Sequence, residues 1–201
     1  MLAQMVTSAR LRACGLSHVR TLHDGVNAFA STRRDSLHAH ADSLLHPDDR
    51  PFVEVRRVNS HIQLDTPAGS TVVVPGCGSL MGDKTAPGDL ACVYQVGVDL
   101  WNQAVSEKYP RSRDLDAKIS WGGQELTSQT GQTTFADDLA KLSHPLGPVA
   151  EAREYLQVSN EALDAALAPQ GHSQNRSKQV VQVVFATRRA RWQLAQSKLD
   201  G

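Results

Sequence analysis

The chain is poor in cysteine, has no excess of either charge and has no long apolar run, and each shortage excludes something. The three cysteines, Cys14, Cys77 and Cys92, are odd in number and widely spaced, which argues against a disulfide framework and for a reducing compartment. No Cys/His spacing typical of zinc sites occurs. Lys+Arg and Asp+Glu are balanced at 21 each, so global charge names no anionic partner. Nothing approaches membrane-spanning length, and Met1 to Cys14 lacks the apolar core of a signal peptide. The expectation is an intracellular protein, nuclear or cytoplasmic, with no membrane partner. Internal repeats and low-complexity tracts are also missing.

What is present suffices for a core. At 201 residues and 40% hydrophobic content, the chain can bury one domain. Local charge is uneven, with basic residues concentrated in Arg33-Arg34, Arg56-Arg57 and Arg188-Arg189-Ala190-Arg191. Residues 2 to 14 read as a helix ended by Gly15, and Val19 to His23 as a short strand that delivers Asp24 to its C-terminal tip. Ser31 looks like the N-cap of a helix reaching about His46 and stopped by Pro47. The alternation of Phe52 to Leu64 and of Thr71 to Val74 predicts two strands joined by the turn Thr66-Pro67-Ala68-Gly69. Residues 89 to 106 predict an amphipathic helix with Leu90, Val93, Tyr94, Val98 and Trp101 on one side. The polar stretch 111 to 132 resists assignment apart from a short strand at Lys118 to Trp121. Phe135 to Leu142 predicts a hairpin. Pro148 is placed at the first position of a helix to about Leu167, Gln179 to Phe185 is a Val-rich strand, and Thr187 to Leu199 a basic helix. Strands interleaved with helices, hairpins included, imply an α+β domain with an antiparallel or mixed sheet covered by helices.

The most informative segment is Phe135-Ala136-Asp137-Asp138, adjacent carboxylates read at a hairpin tip. Asp is a common turn residue, so a solvated turn is one explanation. Upstream, Asp24-Gly25-Val26-Asn27-Ala28-Phe29 supplies a third acid at a strand end. Separated acids meeting in one fold are what a two-metal centre of hard divalent ions uses. His38, His40, His46, Asp48 and Asp49 lack ligand spacing and read as a polar helix face.

These segments together resemble the palm region of reverse transcriptases, most closely those of non-LTR retrotransposons. Asp24 to Phe29 resembles the first catalytic motif, an Asp followed four and five residues later by Ala and an aromatic. Phe135 to Asp138 resembles the [Tyr/Phe]-Ala-Asp-Asp box. Pro75-Gly76-Cys77-Gly78-Ser79-Leu80-Met81-Gly82-Asp83, followed by a long helix, stands where the family has Gln-Gly-x-x-x-Ser-Pro. Gly171 to Lys178 resembles the Gly-x-x-x-Asn-x-x-Lys segment. The resemblance covers about residues 16 to 186, with the basic helix 187 to 199 beyond it. Departures are Ala30 where the family has a second Asp, the missing Gln-Gly pair, and Gly82-Asp83 in place of Ser-Pro.

The resemblance implies an RNA-directed DNA polymerase module, a nucleotidyltransferase, that uses Mg²⁺ or Mn²⁺, deoxynucleoside triphosphates, an RNA template and a DNA primer. It implies metal ligation and catalysis by Asp24, Asp137 and Asp138. Alternation along a strand sends Asp137 and Asp138 to opposite faces unless the turn rotates one back, which favours Asp24 and Asp137. By resemblance Ala28, Phe29 and Gly78 lie at the nucleotide, Phe29 beneath its sugar, and Lys178 lies near the leaving pyrophosphate. A core aromatic and a solvated lysine are the alternatives for the last two side chains. Arg188, Arg189 and Arg191 beside Trp192 are either phosphate contacts or a solvated helix face. The chain reads as a single partial domain over residues 1 to 201 with incomplete fingers and no evident thumb, those segments belonging to a parent polyprotein. As a fragment, such a palm is expected to have little activity alone. An inactive remnant with residual nucleic-acid binding and an unrelated metal-dependent nuclease or phosphotransferase are the other readings.

Overall fold

A computed structural model describes residues 2–58, 60–78, 86–109, 115–129, 131–135, 138–143 and 148–199. The fold is mixed α+β. Its centre is an antiparallel sheet of order β6-β7-β1-β8, formed by Gln132–Phe135, Asp138–Ser143, His18–His23 and Val180–Val184. Separate hairpins are β2–β3 (Ile62–Thr66, Gly69–Val73) and β4–β5 (Asp116–Trp121, Gln124–Gln129).

Cross-strand partners share a face of a sheet, so the register sorts the central sheet into two sides. On the first lie Val19, Thr21 and His23 with Leu139, Lys141 and Ser143 of β7 and Val181 and Val183 of β8. Helices α5 (Ala86–Lys108) and α6 (Val149–Leu167) cover this side. Apolar residues at helical spacing, Leu90, Val93, Tyr94, Val98, Trp101 and Val105, are all buried along α5. They meet Tyr155, Leu163 and Leu167 of α6. Gly97 lets the helices approach: a β-carbon there would stand 2.8 Å from Leu167 Cδ2. Trp101 Nε1 donates to the Ser159 carbonyl at 2.8 Å, and the Tyr155 hydroxyl donates to Ser143 Oγ at 2.6 Å, so these two buried side chains are bonded. Helix α7 (Arg188–Leu199) packs on the same side through Ala190 and Leu194 against Ala152, Val183 and Phe185.

The second side carries His18, Arg20 and Leu22 with Ala140 and Leu142 and, on β8, Val180, Gln182 and Val184. Helix α1 (Leu2–Ala13) crosses it at the β1–β7 half: Ser8 Oγ pairs with His18 Nε2 at 2.7 Å, and Gln4 Nε2 donates to the Ala140 carbonyl at 3.0 Å.

Several expectations need correction. Ser31 caps no long helix. It closes the short α2 (Ala28–Ser31), and α3 (Arg34–Leu44) begins after Arg33, because the Thr32 hydroxyl donates to the Ala28 carbonyl at 2.8 Å and ends the first turn. Phe52 to Val58 is helical within α4 (Arg50–Val58), and only Ile62–Thr66 is extended. The alternating valines of that segment fit a helix as well, with Val53 half-buried between exposed Phe52 and Glu54. Pro148 is the N-cap of α6, one position before the first helical residue. Asp138 is a strand residue paired with Phe135, one position past the tip at which it is expected, and Asp137 lies outside the described residues.

Candidate active site

The central strand β1 ends in an acid flanked across both neighbours. Its register with β7 runs to His23 opposite Leu139, and one further step sets Asp24 opposite Asp138. Its register with β8 runs to Leu22 opposite Val180, and before that strand a turn at residues 176–178 brings Lys178 back to Asp24. The side chains agree: Lys178 Nζ lies 3.2 Å from Asp24 Oδ2. Residues directly across an antiparallel pair stand about 5 Å apart, so a lysine, an acid and a second acid form one row. By alternation Asp24 and Asp138 lie on the second side of the sheet, away from α5 and α6, and the Lys178 ammonium meets Asp24 there.

Backbone bonds fix the chain around this row. The Asp24 carbonyl accepts from Asn175 N at 2.8 Å, Val26 N donates to Ser173 O at 3.0 Å, and Arg33 N donates to Gln170 O at 3.0 Å. Gly25 bridges Gln174. Segment 170–178 is thereby a strap along residues 24–33. Gly171, at φ +83°, is required there, because a β-carbon would collide with the Ser31 carbonyl.

The strap is pinned from below. His23 Nδ1 lies 2.8 Å from Gln174 Oε1 and 3.2 Å from Gln179 Nε2, while Gln174 Nε2 donates to Asp164 Oδ1 at 2.6 Å and to the Asn160 carbonyl at 3.1 Å. Arg176 pairs with Asp164 as well. The two amide donations fix which end of Gln174 faces the imidazole. Burial holds the His23 imidazole below its ordinary pKa, against the opposing pull of the Gln174 hydrogen bond. His172, packed edge-on to Tyr94 at 5.6 Å, is likewise lowered by burial.

Beside the acid row, Asn27 adopts a left-handed conformation at φ 48° and opens α2, a strained turn of the kind that clusters at functional sites. Ala28 is buried and Phe29 half-buried. The glycine loop folds onto them: Gly78 N donates to Thr32 O at 2.7 Å, and the Cys77 thiol donates to Ala30 O at 3.0 Å. A β-carbon on Gly78 would stand 2.6 Å from the carbonyls of Phe29 and Ala30, so only glycine permits this approach.

The fold thus gathers Asp24, Asp138, Lys178, Ala28, Phe29 and Gly78, which are far apart in sequence. Asp137 and residues 79–85 of the glycine loop lie outside the described residues. Arg188, Arg189 and Arg191 are exposed on α7, on the opposite side of the sheet from Asp24. Sequence reasoning missed Gln174 and Asp164, which act through a buried histidine and carry no motif of their own.

The donor set suits a hard divalent cation. Asp24 Oδ2 is enclosed and receives no hydrogen bond, only the charge of Lys178, and a second carboxylate stands across from it. Among the described residues no three His, Cys, Asp or Glu side chains form a metal-binding group, Asp137 lying outside them.

No protein-family model and no curated protein matches the chain. Among solved structures it is similar to apo telomerase from Candida tropicalis truncated from its C-terminal domain, at 10% identity and a TM-score of 0.57. The match covers 93% of this chain and 35% of that one, so the chain spans about a third of its neighbour's length. Likeness at that identity concerns the fold. Among the described residues no helix is long and apolar enough to cross a membrane. The chain therefore shares its α+β fold with that telomerase structure, and carries two acids and a lysine at the end of its central strand.

Proposed function

We propose that this chain is the palm module of an RNA-directed DNA polymerase of the retrotransposon kind, which joins deoxynucleotides to a DNA primer on an RNA template. The observation that carries the reading is the alignment of Lys178, Asp24 and Asp138 at one end of β1, with Phe29 and Gly78 packed beside it. Likeness in fold to telomerase supports the same class.

Bound Mg²⁺ or Mn²⁺ ions would stabilise the attacking and leaving oxygens of an in-line displacement. Asp24 and Asp138 would hold them together with Asp137, as the resemblance implies. Lys178 sits on a stem that is mostly in water. Its ammonium can move from Asp24 to the phosphates of an incoming nucleotide, where it neutralises charge or donates a proton to the leaving group. Phe29 and the backbone around Gly78 would flank the sugar and orient it, since placement supplies much of the rate in phosphoryl transfer.

The test is primer extension on an RNA template with Mg²⁺ or Mn²⁺, for the wild type and for Asp24→Asn and Asp138→Asn. We expect weak extension that both substitutions abolish, because this chain corresponds to a third of its neighbour. Extension unchanged in both variants overturns the reading. Divalent-independent nucleic-acid binding without extension would favour a non-catalytic remnant.

A further inference from the structure

The second side of the sheet carries a cation that the chemistry above does not use. Arg20 lies at the middle of β1, between Leu142 on β7 and Gln182 on β8. It is half-buried, and its Nε and Nη2 are enclosed without any hydrogen-bond partner. Among the described residues no ion pair holds it. Helix α1 and strand β8 contain no acidic residue, and α1 adds Arg10 and Arg12. Along β1 the first acid is Asp24, four residues on. A guanidinium partly withdrawn from water with unused donors is costly unless something completes it. Nη1 is not among its enclosed atoms, so one arm of the guanidinium is left for a phosphate oxygen.

Access lies along β8. Helix α1 crosses the β1–β7 half of this side, whereas Val180 and Gln182 are exposed. On the reading of nucleotidyl transfer at Asp24, on which this step rests, we infer that Arg20 binds a backbone phosphate of the nucleic-acid strand whose 3′ end lies at Asp24 and Asp138. Four residues of strand span about 13 Å, or roughly four nucleotide steps at about 3.4 Å each. The contact is to the sugar-phosphate backbone and is therefore independent of sequence. One edge of this sheet would thus hold the reacting end and its middle would set the register of the strand behind it.

The experiment measures binding of a fluorescein-labelled DNA primer annealed to RNA by full-length wild type, Arg20→Gln and Arg20→Lys, with neutral methylphosphonate linkages placed singly at the first eight positions from the primer 3′ end. Arg20→Gln should weaken binding of the unmodified hybrid about tenfold at low salt and reduce the salt slope by about one. One neutral linkage, at the third to fifth position, should weaken the wild type and leave Arg20→Gln unaffected, with Arg20→Lys between. Because Arg20 has no partner among the described residues, Arg20→Gln should unfold at the wild-type temperature or above it. Absence of any linkage coupled to Arg20 overturns the inference, and so does a lowered melting temperature with unchanged binding. The underlying reading is tested separately by whether Mg²⁺ tightens hybrid binding through Asp24. Coupling at Arg20 without that dependence leaves a nucleic-acid-binding sheet without nucleotidyl transfer, whereas the reverse removes Arg20 alone.

Discussion

Strands β7 and β3 have similar sequence character and opposite fates. In β7, Leu139 and Leu142 are 1% and 2% exposed, because α5 and α6 cover one side of that sheet and α1 crosses the other. In the β2–β3 hairpin every residue but Ile62 is exposed, Val72 at 59%, and Phe52 on the preceding helix is 75% exposed. Antiparallel pairing makes a strand in both places, yet it makes a core only where another layer is supplied. The acids that matter lie in the covered sheet, whose register is fixed on both sides of β1. The hairpin is held by its own turn, where the Thr66 hydroxyl donates to the Gly69 carbonyl at 2.9 Å.

Removing a large side chain from each region gives the widest contrast. Trp101→Ala should destabilise the protein by about 3–5 kcal/mol, since it empties a fully buried site and strands the Ser159 carbonyl. Val72→Ala should change stability by no more than about 0.5 kcal/mol. Chemical denaturation of both variants measures the difference, and a comparable loss in Val72→Ala would mean that the hairpin packs against something.

Glycines with nearly the same backbone separate strain from contact. Gly15 has φ +70° and open space around it, whereas Gly171 has φ +83° and the Ser31 carbonyl in the way of a β-carbon. Gly15→Ala should cost about 1 kcal/mol, the ordinary left-handed penalty. Gly171→Ala should cost roughly 2–4 kcal/mol, because overpacking against rigid backbone adds to it. Equal losses would show that the strap stands off the Ser31 turn.

Much of the covered region was legible in the sequence, and the reasons differ by element. Helix α5 announces itself through apolar residues at three- and four-residue spacing. Asp24 and the acidic hairpin carry composition and motif order that few other segments share. Helix α4 did not announce itself, since Val53, Val55 and Val58 suit a strand in isolation. Contact with α3 decides the matter there, a tertiary effect that outweighs intrinsic preference. The assignment of Asp138 to the strand and the pairing of Lys178 with Asp24 depend on register, which only the partner strands fix. Arg20 was hidden for the same reason: its face is set by where Asp24 ends up, not by its neighbours in sequence.

Acids in the two regions also separate by their response to divalent ions. Asp24 is enclosed and charge-paired with Lys178, whereas Asp65 on the hairpin stands in water beside Gln63, whose amide donates to it at 2.9 Å and helps to lower its pKa. Lys178 competes with a cation for the same oxygen. Lys178→Met should therefore tighten Mn²⁺ binding several-fold, on the order of 1 kcal/mol for loss of a partly exposed pair, while Lys178→Arg stays near wild type. Asp65→Asn should leave Mn²⁺ binding unchanged. Calorimetric titration reads all three, and weaker binding in Lys178→Met would make the lysine a support for the ion instead of its competitor.

The smallest expected effect is a pH dependence that belongs to the covered region. His23 and His172 both have pKa values below the ordinary 6.5, chiefly because burial disfavours the charged ring. In the unfolded chain they titrate near 6.5, so just below that pH the unfolded state binds more protons than the folded one. Their contribution to stability is fully present above about pH 6.5 and is lost progressively as pH falls through the lowered folded-state values. The charged His23 ring would also carry a proton on Nε2, which is enclosed without an acceptor. Melting temperatures measured between pH 7.5 and 5 should decline, less steeply in His23→Gln and in His172→Phe, and least in the double variant. The slope should also be shallower when Asp164→Asn loosens Gln174, because a freed strap admits water to the imidazole and weakens the desolvation that lowers its pKa. A wild-type curve that is flat over this range would mean that both rings keep their ordinary affinity for protons, and that the floor beneath the acid row is wetter than the packing of Trp101 and Tyr94 against it implies.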